Sequence, residues 1–132
     1  MPYDTVTIDS IREMVRDFYA QILKDDRLAP IFIRSLGDDL DSAKWRAHLR
    51  TLDTFWGVMM SGQRGSVADP FPAHAFLGAL TPKDFGRWLK LFHEVVYRLF
   101  VPEIGNKFYK HANILAERFM GNLGLYDDED DD

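Results

Sequence analysis

DPFPAHAFLGALTPKDFGRWLKLF, residues 69–92, joins a lone histidine to the clearest helix start in the chain. Pro70 and Pro72 precede His74, and Gly78 and Pro82 follow it, so helix breakers fence the histidine on both sides. Thr81 then suits an N-cap, Pro82 the first helical position, and Asp84 the positive end of the helix dipole. Beyond that start, Phe85, Trp88, Leu89 and Phe92 recur at steps of three and four, one face of a helix. A histidine pinned beside an aromatic helix face makes a site only where a ligand lies between the two.

Upstream, two segments carry the same period. In residues 8–24, Ile8, Ile11, Met14, Val15, Phe18, Tyr19, Ile22 and Leu23 fall on one stripe, with Arg12, Glu13, Arg16, Asp17 and Lys24 opposite. Ser10 and Glu13 have capping-box spacing, and Thr7 is an equal alternative that adds a turn. Tyr19 lies inside the stripe, so its hydroxyl needs a buried partner. In residues 42–61, Trp45, His48, Leu49, Leu52, Phe55, Trp56, Met59 and Met60 keep the period, with His48 the one ionisable member. Between these helices, Leu28, Pro30, Ile31 and Phe32 predict a short helical turn ended by Gly37, and Asp39 or Asp41 is the expected cap of the helix that follows. Residues 61–72 read as loop.

Downstream, a third long helix spans 82–100 and a last one runs from Pro102 to about Leu123. Ile104, Phe108, His111 or Ala112, Leu115, Phe119 and Leu123 mark the buried stripe of the last helix, and Gly105, Gly121 and Gly124 weaken its ends. No period-two alternation, hairpin dipeptide or internal repeat occurs. The expectation is an all-α protein of four long helices, with residues 1–126 as one domain and DDEDDD (127–132) as a disordered acidic tail.

Composition narrows the function. The chain has 132 residues, enough for one domain that buries roughly two thirds of its unfolded surface. Its 10 Phe and 3 Trp are a heavy aromatic load, suited to a core or to a pocket for a flat apolar ligand. With no cysteine, thiolate metal sites, iron–sulfur clusters and cysteine nucleophiles are excluded. The net charge of −5 comes from the six terminal acids, and the rest of the chain is near neutral with no basic stripe for nucleic acid. No signal-peptide core or membrane-length apolar run occurs, so a cytoplasmic protein is expected.

Taken singly, the polar members of the apolar faces have packing explanations, and His93 and His111 read as surface or core-edge residues. The set is more informative. Tyr19, His48 and Trp88 each place a polar tip on an inward stripe of a different helix, and His74 stands apart on its own segment. One axial nitrogen opposite a group of hydrogen-bond donors is what a gas-binding iron porphyrin needs. A hydrolytic zinc site wants clustered ligands, yet His48 and His74 lie 26 residues apart with no HExxH-like pair. No GxSxG elbow and no phosphate-binding glycine loop is present.

The ordered markers Phe18-Tyr19, LAPIF (28–32), W-x-x-H-L (45–49), Phe55-Trp56, P-x-x-x-H (70–74) and RWLKLF (87–92) resemble those of the bacterial group III truncated haemoglobins. The Gly-Gly pairs of the other truncated groups are absent. The resemblance covers about residues 5–125 and implies a truncated-globin-like fold, two helix pairs packed across each other around a haem b (iron protoporphyrin IX). It makes His74 the proximal metal ligand, His48 the distal histidine, and Tyr19 and Trp88 the distal donors. It also puts Phe32 on the haem and Leu52, Phe55 and Trp56 in the distal wall. Propionate partners follow from no motif; Arg46, Arg50 and Lys83 are neighbours by position only.

The implied activity is tight dioxygen binding for nitric oxide dioxygenation, or peroxidase-like chemistry with His48 as the acid–base group. Either needs an unidentified external reductase, since the chain holds no flavin or nicotinamide domain. The alternatives are non-catalytic storage or sensing of dioxygen, nitric oxide or another diatomic, and a haem-free helical interaction domain.

Overall fold

The computed structural model describes residues 2–61 and 81–122. Among them lie α1 (Ile8–Lys24), α2 (Ala29–Leu36), α3 (Ala43–Ser61), α4 (Pro82–Leu99) and α5 (Pro102–Asn122). The expected all-α class holds, and the four long helices fall where their apolar periods place them.

The starts of the helices explain the small departures. At α1 the capping box is Thr7 with Ser10: the Thr7 hydroxyl accepts from the Ser10 N–H at 3.0 Å, and the Thr7 N–H donates to Ser10 Oγ at 2.8 Å. The added turn leaves Ile8, expected on the buried stripe, 68% exposed at the helix mouth. Ile11, Met14, Val15, Phe18, Tyr19 and Ile22 are buried as expected. At α3 the cap is Ser42, whose Oγ accepts from Trp45 N–H at 3.3 Å, and not Asp39 or Asp41. The Asp39 carboxylate instead closes a local turn on the Asp41 N–H, at 2.9 Å.

The segment expected as a turn is a true helix, α2, because Asp25 prepares its start. The Asp25 N–H ends α1 by donating to the Ile22 carbonyl at 3.0 Å. Its carboxylate accepts from the N–H groups of Arg27 and Leu28, at 3.2 and 3.0 Å, and its carbonyl from Ala29 at 2.9 Å. One acid thus satisfies donors that a helix start otherwise leaves open. Gly37, at φ +86°, terminates α2 where a side chain would be strained.

At α4 the expected start is present in full, with reciprocal hydrogen bonds between Thr81 and Asp84 and Pro82 in the first turn. Phe85, Trp88 and Phe92 are buried with Leu91, Val95 and Val96, whereas Leu89 is half-buried. On α5 the buried choice is Ala112 and not His111. Gly105 does not fray this helix: a Cβ there would lie 3.0 Å from the Tyr97 ring, so glycine lets α5 approach α4 closely.

Helix α1 packs on α3, α4 packs on α5, and α1 also crosses to α4, so that the helices share one core. Arg16 clasps Asp53 through two hydrogen bonds of 2.9 and 3.0 Å between α1 and α3. Arg98 pairs with Asp17 between α4 and α1. Ahead of α1, Tyr3 brackets the α4–α5 corner, donating to Leu99 O at 2.7 Å and accepting from Val101 N–H at 2.9 Å. No helix among the described residues is long and apolar enough to cross a membrane.

Candidate functional site

Adjacent positions on α1 face two different aromatic neighbourhoods. Phe18 meets the edge of Trp88 at 5.4 Å and of Phe92 at 5.1 Å. Phe92 in turn stacks on Trp56 at 5.3 Å, and Trp56 reaches Phe108 on α5 at 5.5 Å. Tyr19 instead meets His48 edge-on at 5.6 Å, Trp45 at 5.5 Å and Phe32 at 5.8 Å. Trp45 is wholly buried and donates its indole N–H to the Gly37 carbonyl at 2.7 Å, which pins it beneath both Tyr19 and His48.

Trp88 joins the two neighbourhoods. Burial pushes the Tyr19 hydroxyl well above the usual tyrosine pKa, and the polar edge of the nearby Trp88 side chain opposes part of that rise. An indole N–H can only donate, so toward the phenol oxygen Trp88 can act only as a donor, which leaves the Tyr19 O–H proton for a third group. The phenol stays neutral across the physiological range and remains a donor.

Tyr19, Trp88, Leu52 and Trp56 line a cavity of about 10 Å³ together with Phe18 and Phe92. That is space for about one water-sized probe. Apart from the Trp56 indole, every other side chain around it is carbon or thioether, so Tyr19 and Trp88 stand in a largely apolar wall.

Of the predicted site residues, the fold therefore gathers Tyr19, His48, Phe32, Leu52, Trp56 and Trp88, all buried. Phe55 is buried too and packs on the edge of Trp56 at 5.4 Å. His74, the predicted metal ligand, lies outside the described residues, as do the proline-rich loop and the acidic tail. Among the described residues no cluster of three or more His, Cys, Asp or Glu side chains forms a metal site. Arg46 and Arg50 are exposed on a surface groove of about 650 Å³ that they share with Arg12, Arg16 and Asp53. Lys83 is exposed in the first turn of α4.

Two contributors escaped the sequence reading. The helical period shows Trp45 only as a buried-face residue, and its place between Tyr19 and His48 depends on the Gly37 carbonyl. Asp25 pairs with Arg87 at 2.6 Å, with its side chain only 5% exposed. The available signal was an acid standing three residues ahead of Leu28 and four ahead of Ala29-Pro30, the pattern of a helix start.

No protein-family model matches the chain. A group 3 truncated hemoglobin of Campylobacter jejuni is 29% identical over 126 residues, covering 96% of this chain and 98% of that protein. The crystal structure of the group III truncated hemoglobin from Campylobacter jejuni superposes with a TM-score of 0.74, covering 96% of this chain and 97% of the other. The fold is that of a truncated globin. The resemblance to group III thus holds in sequence and in three dimensions over nearly the whole length. In this truncated-globin frame, the helices that meet at Tyr19, His48 and Trp88 are α1, α3 and α4.

Proposed function

We propose that this truncated globin is a haem protein that binds dioxygen tightly and uses it to convert nitric oxide to nitrate. Similarity to proteins named truncated hemoglobins supports a haem and a small diatomic ligand. The observation that carries the finer reading is the Tyr19–Trp88 donor pair in an apolar wall next to His48.

The donor set suits haem with a gas ligand. A flat apolar macrocycle matches aromatic surroundings, and a polarised diatomic matches a neutral phenol O–H aimed by an indole. The 10 Å³ cavity is far too small for a porphyrin, so the fit rests on the chemistry of the donors and not on that space. The group assigned is haem b, whose iron His74 would bind and which Phe32, Leu52, Phe55, Trp56 and His48 would help to hold. Haem would supply the iron that binds the gas and the change of oxidation state that the reaction requires.

The protein's own part is positioning and proton control. Tyr19, with Trp88 beside it, would donate to the partly negative end of a bound diatomic. In a dry pocket each such bond contributes on the order of 1–3 kcal/mol, which slows release and favours reaction over delivery. His48 holds or moves a proton at an imidazole nitrogen where peroxide-type chemistry demands one. Joining dioxygen to nitric oxide as nitrate consumes one electron, so turnover requires an external reductase.

The first test is an ultraviolet–visible spectrum of the purified protein: as isolated, reduced, and reduced under carbon monoxide. A Soret band that moves sharply with carbon monoxide is expected. Its absence after haem is added back overturns the reading. His74→Ala should lose most of the haem; an unaltered spectrum in that variant places the axial ligand elsewhere.

A further inference from the structure

Asp25 touches three of the four helices that contribute rings to the distal side: α1, α2 and α4. It closes α1 nearly two turns beyond Tyr19 and opens α2, whose fourth residue is Phe32. It also grips α4 at Arg87, immediately before Trp88: Arg87 Nε lies 2.7 Å from Oδ1 and a terminal guanidinium nitrogen 2.6 Å from the same oxygen. The other oxygen, Oδ2, is held by the backbone N–H groups of Arg27 and Leu28, so the carboxylate has little freedom to turn.

A second pair crosses the first. Arg27 meets Asp84 at 3.2 Å, and Asp84 is the residue that caps α4 with Thr81. The α1–α2 corner is therefore fastened to α4 at two points, one turn apart. Two crossed pairs fix rotation of α4 about its axis as well as its distance, which a single pair cannot do. Rotation of α4 decides where the Trp88 indole points.

We propose that Asp25, through Arg87, is a positioning residue that aims the Trp88 indole at the Tyr19 hydroxyl. The inference rests on the donor-pair reading above and extends it to a residue that touches neither gas nor haem. Burial of the Asp25 side chain separates it from an ordinary surface ion pair, which is screened by solvent and contributes little. The Arg98–Asp17 pair supplies a contrast within the same two helices, because it joins α4 to α1 at the far end of α4 from Trp88.

The experiment compares Asp25→Asn, Arg87→Gln and Arg87→Lys with the control Asp17→Asn. Each holoprotein is read by oxygen dissociation rate and by the stretching frequency of bound carbon monoxide. Each apoprotein is read by the indole N–H resonance of Trp88, assigned by its loss in Trp88→Phe, and by denaturation midpoint. Asp25→Asn and Arg87→Gln should speed oxygen release by about three- to tenfold, the effect of weakening one hydrogen bond, and shift both spectroscopic signals. Arg87→Lys should fall between these and the parent, and Asp17→Asn should shift none of the signals.

Oxygen release within about twofold of the parent in both Asp25→Asn and Arg87→Gln overturns the proposal, as does an equal acceleration in Asp17→Asn. Arg87→Gln keeps the test intact should Asp25→Asn fail to fold. A parent protein that takes up no haem defeats the functional reading instead, and the apoprotein resonance then decides the Asp25–Trp88 link by itself.

Discussion

Phe18 and Tyr19 are sequence neighbours that open onto two unlike regions. The Phe18 side is an aromatic stack without a titrating group: Trp88, Phe92, Trp56 and Phe108 link α1 to α4, α3 and α5 with ring spacings of 5.1–5.5 Å. The Tyr19 side is equally buried and equally aromatic, yet Tyr19, His48 and Trp45 on that side each carry a polar tip. A fold of this size needs the first region to exist at all. The second adds polar groups to the interior, each of which costs free energy unless it is bonded. A chain built only to fold would put phenylalanine at position 19 as it does at position 18.

The contrast can be broken from the Phe18 side with the largest effect. Phe108 is fully buried between Trp56 and Phe100, and Phe108→Ala should lower stability by about 3–5 kcal/mol. Urea denaturation measures this, and the carbon monoxide stretching frequency of the surviving folded protein should hardly move. A loss below about 1 kcal/mol would mean that the stack collapses to fill the gap and does not define the fold.

Tyr19→Phe is the complementary change. It should alter stability by only about 0.5–1.5 kcal/mol while raising the oxygen dissociation rate clearly. An unchanged rate would show that Trp88 or His48 carries the stabilisation without the phenol.

The two regions also differ in their pH dependence. The Tyr19 pKa is raised in the folded protein above its ordinary 10.0, so its stabilisation is complete below that pH and is lost as pH climbs through the folded value. For Asp25, burial pushes the pKa up, but the hydrogen bond and charge of Arg87 and the N–H groups of Leu28 and Arg27 outweigh it, leaving a value below the ordinary 3.8. That stabilisation is present above 3.8 and is lost as pH falls through the lower value. Stability measured against pH should therefore show an alkaline arm that shrinks in Tyr19→Phe and an acid arm that shrinks in Asp25→Asn. The aromatic stack has no titrating group, so Phe108→Ala should displace the whole curve without changing either arm.

The smallest effect belongs outside both regions. Ile8 is 68% exposed at the mouth of α1, and Ile8→Lys should change the denaturation midpoint by no more than about 0.5 kcal/mol in stability. A larger loss would put Ile8 in a contact beyond the described residues.

Local patterns carried most of the fold. Apolar periods placed α1, α3, α4 and α5, the Thr81-Pro82-Asp84 start placed the entry to α4, and Gly37 placed the end of α2. Those signals act within one or two turns, which is why they can be read along a single strand of text. The caps of α1 and α3 were decided by which of several adjacent oxygens reached the open N–H groups, and α2 became a helix because Asp25 met four of its neighbours at once. Likewise, the sequence by itself determined that Tyr19, His48 and Trp88 would face inward, because each sits in phase with its helix. Only the tertiary structure decided that Trp88 would meet Tyr19 and that Asp25 would meet Arg87, 62 residues away. Such meetings depend on the angle and depth at which α1 crosses α4, and those follow from the packing of all the rings between the helices rather than from the period of either one.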